Sequence, residues 1–157
     1  MPSSEVSKLS FLTRLYVYGL HGFAIEICFT ALWELVENGN PRLHGLTSVW
    51  AFFIYGISGV VQEQLYLALR ERASLIARGL LYLLWSYAWE FSTGLLLKQF
   101  GACPWDYEAY FEGHFMGLIT IEYAPLWFIA GILGEKLVIR NVLRLQWGQC
   151  DGTIGSS

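Results

Sequence analysis

The feature that most constrains this chain is a set of four stretches, each close to twenty residues, from which ionisable side chains are nearly absent. They run from Leu15 to Trp33, from Gly45 to Val61 with a continuation to about Leu69, from Gly79 to Leu97, and from Phe115 to Gly134. A helix needs about 20 apolar residues to cross a hydrocarbon core about 30 Å thick. The first stretch holds His21 and Glu26, the second up to Val61 holds no charge, the third holds Glu90 and the fourth Glu122. A soluble bundle would show polar faces at a 3.6-residue period, whereas these faces are mostly Leu, Ile, Phe, Trp and Tyr. The expected fold is an all-α integral membrane protein with four transmembrane helices over residues 1–145. A short disordered cytoplasmic tail is expected over 146–157.

Composition supports one domain of this class. Hydrophobic residues make up 55% of the 157 residues and charged ones 15%, against roughly 25% charged in a soluble domain. That is too little polar surface to cover a chain this short. Cys28, Cys103 and Cys150 are scattered, which is neither a disulfide framework nor a metal-ligand spacing. The first apolar stretch exceeds the core of a cleavable signal and reads as an anchor that stays.

The basic residues orient the helices. Lys8 and Arg14 precede the first, Arg70, Arg72 and Arg78 fill the second connection, and Lys136, Arg140 and Arg144 follow the fourth. The other two connections hold only Arg42 and Lys98, and the later one adds Asp106, Glu108 and Glu112. By the positive-inside rule both termini are expected to be cytoplasmic, as an even number of spans requires. Nothing in the charge pattern selects a particular cellular membrane or a nucleic-acid partner.

The first and third helices resemble each other at an offset of 64 residues. Tyr18, Gly22, Glu26, Thr30 and Glu34 match Tyr82, Ser86, Glu90, Gly94 and Lys98. Residues four apart stay near one face of a helix, so each ladder sets a carboxylate between small neighbours. Two similar helical hairpins would follow, with helices 1 and 3 meeting through these faces. A second register, which lays Trp33-Glu34 on Trp89-Glu90, competes with the first.

Carboxylates within apolar helices are costly and usually face the bundle interior. Glu63 and Glu135 lie near the basic end, where ion pairs with Arg70, Arg72, Lys136 or Arg140 are the plain expectation. Glu26 and Glu90 fall near the midplane and Glu122 in the outer half, with no Lys or Arg at their depth. These three form the candidate ion or proton site, with pKa values expected to rise through desolvation. The other reading is that they hold helices together through hydrogen bonds. Asp106 and Glu34 would form an acidic outer vestibule, or Asp106 would cap a turn. Pro125 is expected to kink the fourth helix and free the Ile121 carbonyl beside Glu122. The loop Gln99 to His114, with five aromatics and one proline, suits folding over the bundle mouth. No nucleophile, phosphate loop or metal motif is present, so neither an enzyme nor a cofactor is expected.

Several strings carry a resemblance. They are Ser48-Val-Trp-Ala-Phe-Phe-Ile-Tyr-Gly56, Trp89-Glu-Phe-Ser-Thr-Gly94, Cys103-Pro-Trp-Asp-Tyr107, Phe115-Met-Gly-Leu-Ile-Thr-Ile-Glu-Tyr-Ala124 and Ile139-Arg-Asn-Val-Leu-Arg-Leu145. Together they resemble the vertebrate transmembrane protein 229 family over about Leu15 to Leu145. They are also similar to a broader, largely bacterial family described as ABC-transporter permeases, through Trp105-Asp106-Tyr107. That family's Asn-Arg-Gly turn is interrupted here, as Asn40-Pro41-Arg42-Leu43-His44-Gly45. The resemblance implies a multi-pass membrane protein and carries over no catalytic or binding residue. The functional expectation is a small transport-type or channel-like protein, working as a homo-oligomer or with a partner membrane subunit. The alternatives are a scaffold or accessory subunit of a membrane complex and, with less support, a lipid enzyme embedded in the membrane.

Overall fold

A computed structural model describes residues 7–147. Its elements in order are β1 (Ser7–Lys8), α1 (Phe11–Asn38), α2 (Val49–Leu69), α3 (Leu75–Gln99), β2 (His114–Phe115), β3 (Ile119–Thr120), α4 (Ala124–Leu133), a π-helical turn (Gly134–Ile139), α5 (Arg140–Val142) and β4 (Gln146–Trp147). The chain is therefore all-α apart from two short antiparallel ladders, β1 with β4 and β2 with β3.

Local chemistry starts and stops the helices. Ser10 and Ser74 cap α1 and α3 with the same backbone angles, φ −63° and ψ 160°. Their hydroxyls accept from Thr13 N at 3.2 Å and Ala77 N at 3.3 Å, satisfying amides that the first turn leaves free. Ser48 does the same for α2. α1 ends where Gly39 turns left-handed (φ 62°), a conformation that costs glycine little, and returns its N–H to Glu34 O.

The fourth helix differs from expectation. Residues His114 to Thr120 form a hairpin that turns through Met116 (φ 55°) and Gly117 (φ 70°), and a 3₁₀ turn over Ile121–Tyr123 leads into α4. Pro125 therefore lies in the first helical turn, where its missing N–H has no partner to lose. It makes no kink, and the Ile121 carbonyl accepts the Ala124 N–H. At the other end, Gln146 and Trp147 belong to no disordered tail: they pair with Lys8 and Ser7. Residues 148–157, with Cys150, lie outside the described residues.

The helices pack as two hairpins, α1 chiefly on α2 and α3 chiefly on α4, with α2 against α3 between them. Helices α1 and α3 do not form the close contact that their small residues suggested. Those residues serve other contacts: Gly22 faces Tyr55 of α2, and Gly94 faces Trp105 of the outer loop (100–113) and Leu118 of the β2–β3 hairpin. Indoles join the halves, Trp85 Nε1 donating to Ser58 Oγ and Trp89 Nε1 to Ile54 O, each at 3.0 Å. Gln62 adds a bond from α2 to the Gly131 carbonyl of α4.

Buried charges and exposed aliphatics occur side by side. Glu63 and Glu135 are 0% exposed, whereas Leu12 is 73% exposed and Val36 78%. Among the described residues, α1 alone is long and apolar enough to cross a membrane by length and composition, with a mean hydropathy of 1.4. The other helices carry Tyr, Trp, Gln and Gly, and the fourth is interrupted by its π turn.

The hairpins repeat a close approach. A Cβ on Gly59 would stand 2.7 Å from the Tyr18 Cβ, and one on Gly131 2.8 Å from the Tyr82 Cβ. Gly59→Ala and Gly131→Ala are each expected to destabilise the protein by about 1–3 kcal/mol. Thermal unfolding of the detergent-purified variants checks this.

Candidate functional site

Two polar levels lie inside the bundle. The lower one repeats the same clasp in each hairpin. Arg14 and Tyr18 of α1 reach Glu63 of α2: Arg14 Nη1 donates to Glu63 Oε1, and Tyr18 Oη to Glu63 Oε2 at 2.6 Å. In the second hairpin Arg78 donates twice to Glu135, both bonds 2.8 Å, and Tyr82 donates to Glu135 Oε2 at 2.8 Å. Arg140 adds a bond of 2.7 Å to Glu135 Oε1. Ion pairs were expected for both glutamates, but with other partners apart from Arg140. Arg70, Arg72 and Lys136 do not meet them.

Sequence reasoning missed Arg14 and Arg78, although the signal was present. The 64-residue offset of Tyr18/Tyr82 and Glu26/Glu90 also aligns Ser10 with Ser74 and Arg14 with Arg78. A 72-residue offset aligns Gly59 with Gly131 and Glu63 with Glu135. A serine cap, an arginine and a tyrosine at four-residue steps thus face a glycine and a glutamate four apart. This favours the 64-residue register over the one that lays Trp33-Glu34 on Trp89-Glu90.

The upper level holds Glu26 and Glu90. Each lies twelve residues beyond its clasp arginine, or roughly 18 Å along the helix. Thr47 Oγ1 donates to Glu26 Oε1 at 2.8 Å, and the Tyr55 phenol faces the same carboxyl. Thr30 bonds backbone carbonyls and the Leu46 amide rather than this carboxyl. Tyr107, from the outer loop, donates to Glu90 Oε1 at 2.6 Å. Burial, and then the neighbouring Glu90 carboxylate, push the Tyr107 phenol far above its ordinary range, so it keeps the proton it donates. Glu90 Oε2 is buried without a hydrogen bond of good geometry, and the buried Trp127 N–H beside it is within reach of the same carboxyl as a donor. Neither Glu26 nor Glu90 has an ion pair among the described residues, and the two lie within electrostatic reach of each other. Trp127 stands 72 residues after Tyr55, so each carboxyl has an aromatic polar group at the equivalent position.

The outer loop closes this level from above. Tyr107 N donates to Gly117 O at 2.8 Å and Trp105 Nε1 to Leu118 O at 3.1 Å, which fixes the loop on the β2–β3 hairpin. Trp33, Tyr107, Phe111 and Tyr123 pack edge to face with centroids 4.9–6.2 Å apart. Burial also pushes the Cys103 thiol up.

The other expected site residues serve the loop. Glu122 precedes α4, fully outside the helix, and accepts from the Gly113 amide and the Thr120 hydroxyl. Those bonds, the Thr120 hydroxyl foremost, hold its carboxyl below the usual carboxylate range rather than raising it. Asp106 caps its own turn through the Glu108 amide. Glu34 accepts from Asn38 and Asn40 at the end of α1. The structure thus sets Glu26 and Glu90 within electrostatic reach of each other and assigns Glu122, Asp106 and Glu34 to local hydrogen bonds. No group of three or more His, Cys, Asp or Glu among the described residues is arranged to hold a metal ion.

No family model and no solved structure matches this chain.

Arg78→Ala removes two charge-assisted bonds to the buried Glu135, leaving those from Arg140 and Tyr82, and is expected to cost about 1.5–3 kcal/mol, whereas Arg72→Ala, at an exposed position, changes little. Thermal melts in detergent separate the two. Glu122 carries a lowered folded pKa, so its contribution is complete above the ordinary carboxylate range and is lost as pH falls through the folded value. Trp105 fluorescence should report loosening of the β2–β3 hairpin below about pH 4, and Glu122→Gln should flatten that transition.

Proposed function

We propose that this chain is a four-helix integral membrane protein whose paired carboxylates Glu26 and Glu90 form a proton or cation site inside the bundle. The observation that carries the reading is the burial of Glu90 Oε2 with no cationic partner, its carboxyl met by the Tyr107 hydroxyl and approached by the Trp127 N–H, and within electrostatic reach of Glu26. A carboxylate kept from water with only neutral donors beside it is costly unless it takes up a proton or a cation. No arginine or lysine stands there to do so.

The membrane setting has its own support. Glu63, Arg78 and Glu135 are inside while many leucines along the helices are exposed, which is stable where the surrounding solvent is hydrocarbon. The β1–β4 ladder holds the two ends of the described chain together, as an even number of spans requires. If the clasp arginines sit at the cytoplasmic boundary, roughly 18 Å of helix carries Glu26 and Glu90 just beyond the middle of a core about 30 Å thick. Tyr107, bonded to Glu90 from the loop, stands where an outer gate would act. Four helices enclose little volume, so a complete pathway would use further copies or a partner subunit.

A second reading, an accessory subunit of a larger membrane complex, is favoured by the open apolar groove between α3 and α4. It is lined by Leu80, Leu83, Ala124, Pro125, Phe128 and Ile129 and contains no polar surface. Small side chains and open grooves of this kind let a further helix approach.

Proteoliposomes test the first reading. Proton or monovalent-cation flux above the protein-free background is expected, falling to that background in Glu26→Gln/Glu90→Gln and altered in rate by Tyr107→Phe. Unchanged flux in the double variant, or none in the wild type, removes the proposal. Arg72→Cys and Glu108→Cys should label from opposite faces of sealed vesicles; labelling from one face would remove the four-span topology.

A further inference from the structure

The arginine-rich end of the bundle carries more positive charge than its clasps use. Glu63 is matched by one arginine, Arg14, whereas Glu135 accepts from two, Arg78 and Arg140. The position five residues after Glu63, which corresponds to Arg140, is Ala68. The first hairpin forms its clasp without this second arginine, so the clasp by itself does not require it.

Arg140 is turned inward by an irregularity of the helix. Five residues along an α-helix end about 140° from the start, which would point Arg140 away from Glu135. The π turn over Gly134–Ile139 directs the Arg140 N–H to Glu135 O and stacks residue 140 above residue 135. The guanidinium then lies over the Tyr66 ring at 5.6 Å, with Arg78 at 6.0 Å from the same ring. Its Nε is buried and has no acceptor.

A cleft of about 290 Å³ opens at this point, lined by Tyr66, Arg70, Arg140, Leu143 and Arg144. Arg70 meets only the exposed Glu71, at 3.3 Å, and Arg144 makes no ion pair among the described residues. Three guanidinium groups therefore face one cleft, and the sole carboxylate bonded to Arg140 is shared with Arg78. Guanidinium forks match the oxygens of phosphate and carboxylate groups, and a phosphate offers enough oxygens to engage several forks at once.

We propose that this cleft binds the phosphate of an anionic lipid headgroup, with Arg70, Arg140 and Arg144 as its ligands and Tyr66 as its floor. Leu143 forms an apolar wall, and the neighbouring helix surface exposes Leu67 and Leu137, which favours an amphiphile over a free ion. Basic clefts between helices at the cytoplasmic boundary are suited to such headgroups. The lipid as source rests on the membrane reading above; the phosphate chemistry of the cleft does not.

Native mass spectrometry of the full chain in mild detergent tests this, with phosphatidic acid, phosphatidylcholine, glycerol phosphate and inorganic phosphate as separate probes. The wild type is expected to retain one phosphatidic acid and to prefer it to phosphatidylcholine. Arg70→Gln/Arg144→Gln, which leaves both clasps intact, should weaken binding roughly thirty-fold. Arg72→Gln, exposed and outside the cleft, should leave it unchanged. Displacement of the lipid by glycerol phosphate or inorganic phosphate at matching concentration would keep the phosphate site and assign it to a soluble anion. Equal binding by the double variant, an equal loss in Arg72→Gln, or equal retention of phosphatidylcholine would overturn the proposal. Flux through Glu26 and Glu90, measured on the same variant, reports separately on that site, whose residues it leaves in place.

Discussion

The architecture depends on a buried arginine–tyrosine–glutamate clasp, made once in each hairpin. A lone carboxylate at the depth of Glu63 or Glu135 would be severely destabilising, because neither is exposed at all. Each becomes tolerable because an arginine and a tyrosine from the preceding helix fill its oxygens. That requirement sets the packing around it. Tyrosine must lie flat against the facing helix, so Gly59 and Gly131 stand where any larger residue would meet the tyrosine Cβ. The arginines must lie one turn inside the helix start, which the serine caps provide. Cap, charge pair and close approach form one unit, and the two copies give the bundle its pseudo-symmetry.

The same pseudo-symmetry organises the upper level, with a different outcome. Glu26 and Glu90 occupy equivalent positions, yet neither receives an arginine. Hydroxyl groups reach them instead, from Thr47 in the connection before α2 and from Tyr107 in the outer loop. A hydroxyl offers one proton and no net charge, so these carboxyls keep unspent capacity. The lower level is thus held by ion pairs and the upper one by hydroxyl groups. The symmetry is broken at both levels: Trp127 replaces Tyr55, and Arg140 with its π turn has no counterpart at Ala68.

The outer cap shows how a segment can be apolar without spanning anything. Phe115 to Thr120 reads as membrane helix because its side chains are hydrophobic, yet it folds as a hairpin under the aromatic loop. Met116 and Gly117 in left-handed geometry break any helix there. Glu122, Asp106 and Glu34 then become local acceptors for backbone and amide groups that the turns would otherwise leave unsatisfied.

What the sequence determined by itself was whatever depends on spacing along one chain. Long apolar runs made the protein all-α, and four-residue steps revealed the repeat and the equivalence of Glu26 with Glu90. The loop's aromatics foretold a cap over the mouth. Tertiary structure decided what depends on which helix lies opposite. It chose Arg14 and Arg78, rather than Arg70 and Arg72, as partners of the buried glutamates. It set α1 on α2 instead of α3, and it placed Pro125 at a helix start. An ion pair or a helix contact is fixed by distance in space: the 64- and 72-residue offsets mark equivalent positions in the two hairpins, but partners 49 or 57 positions apart within one clasp are joined only by the packing of facing helices.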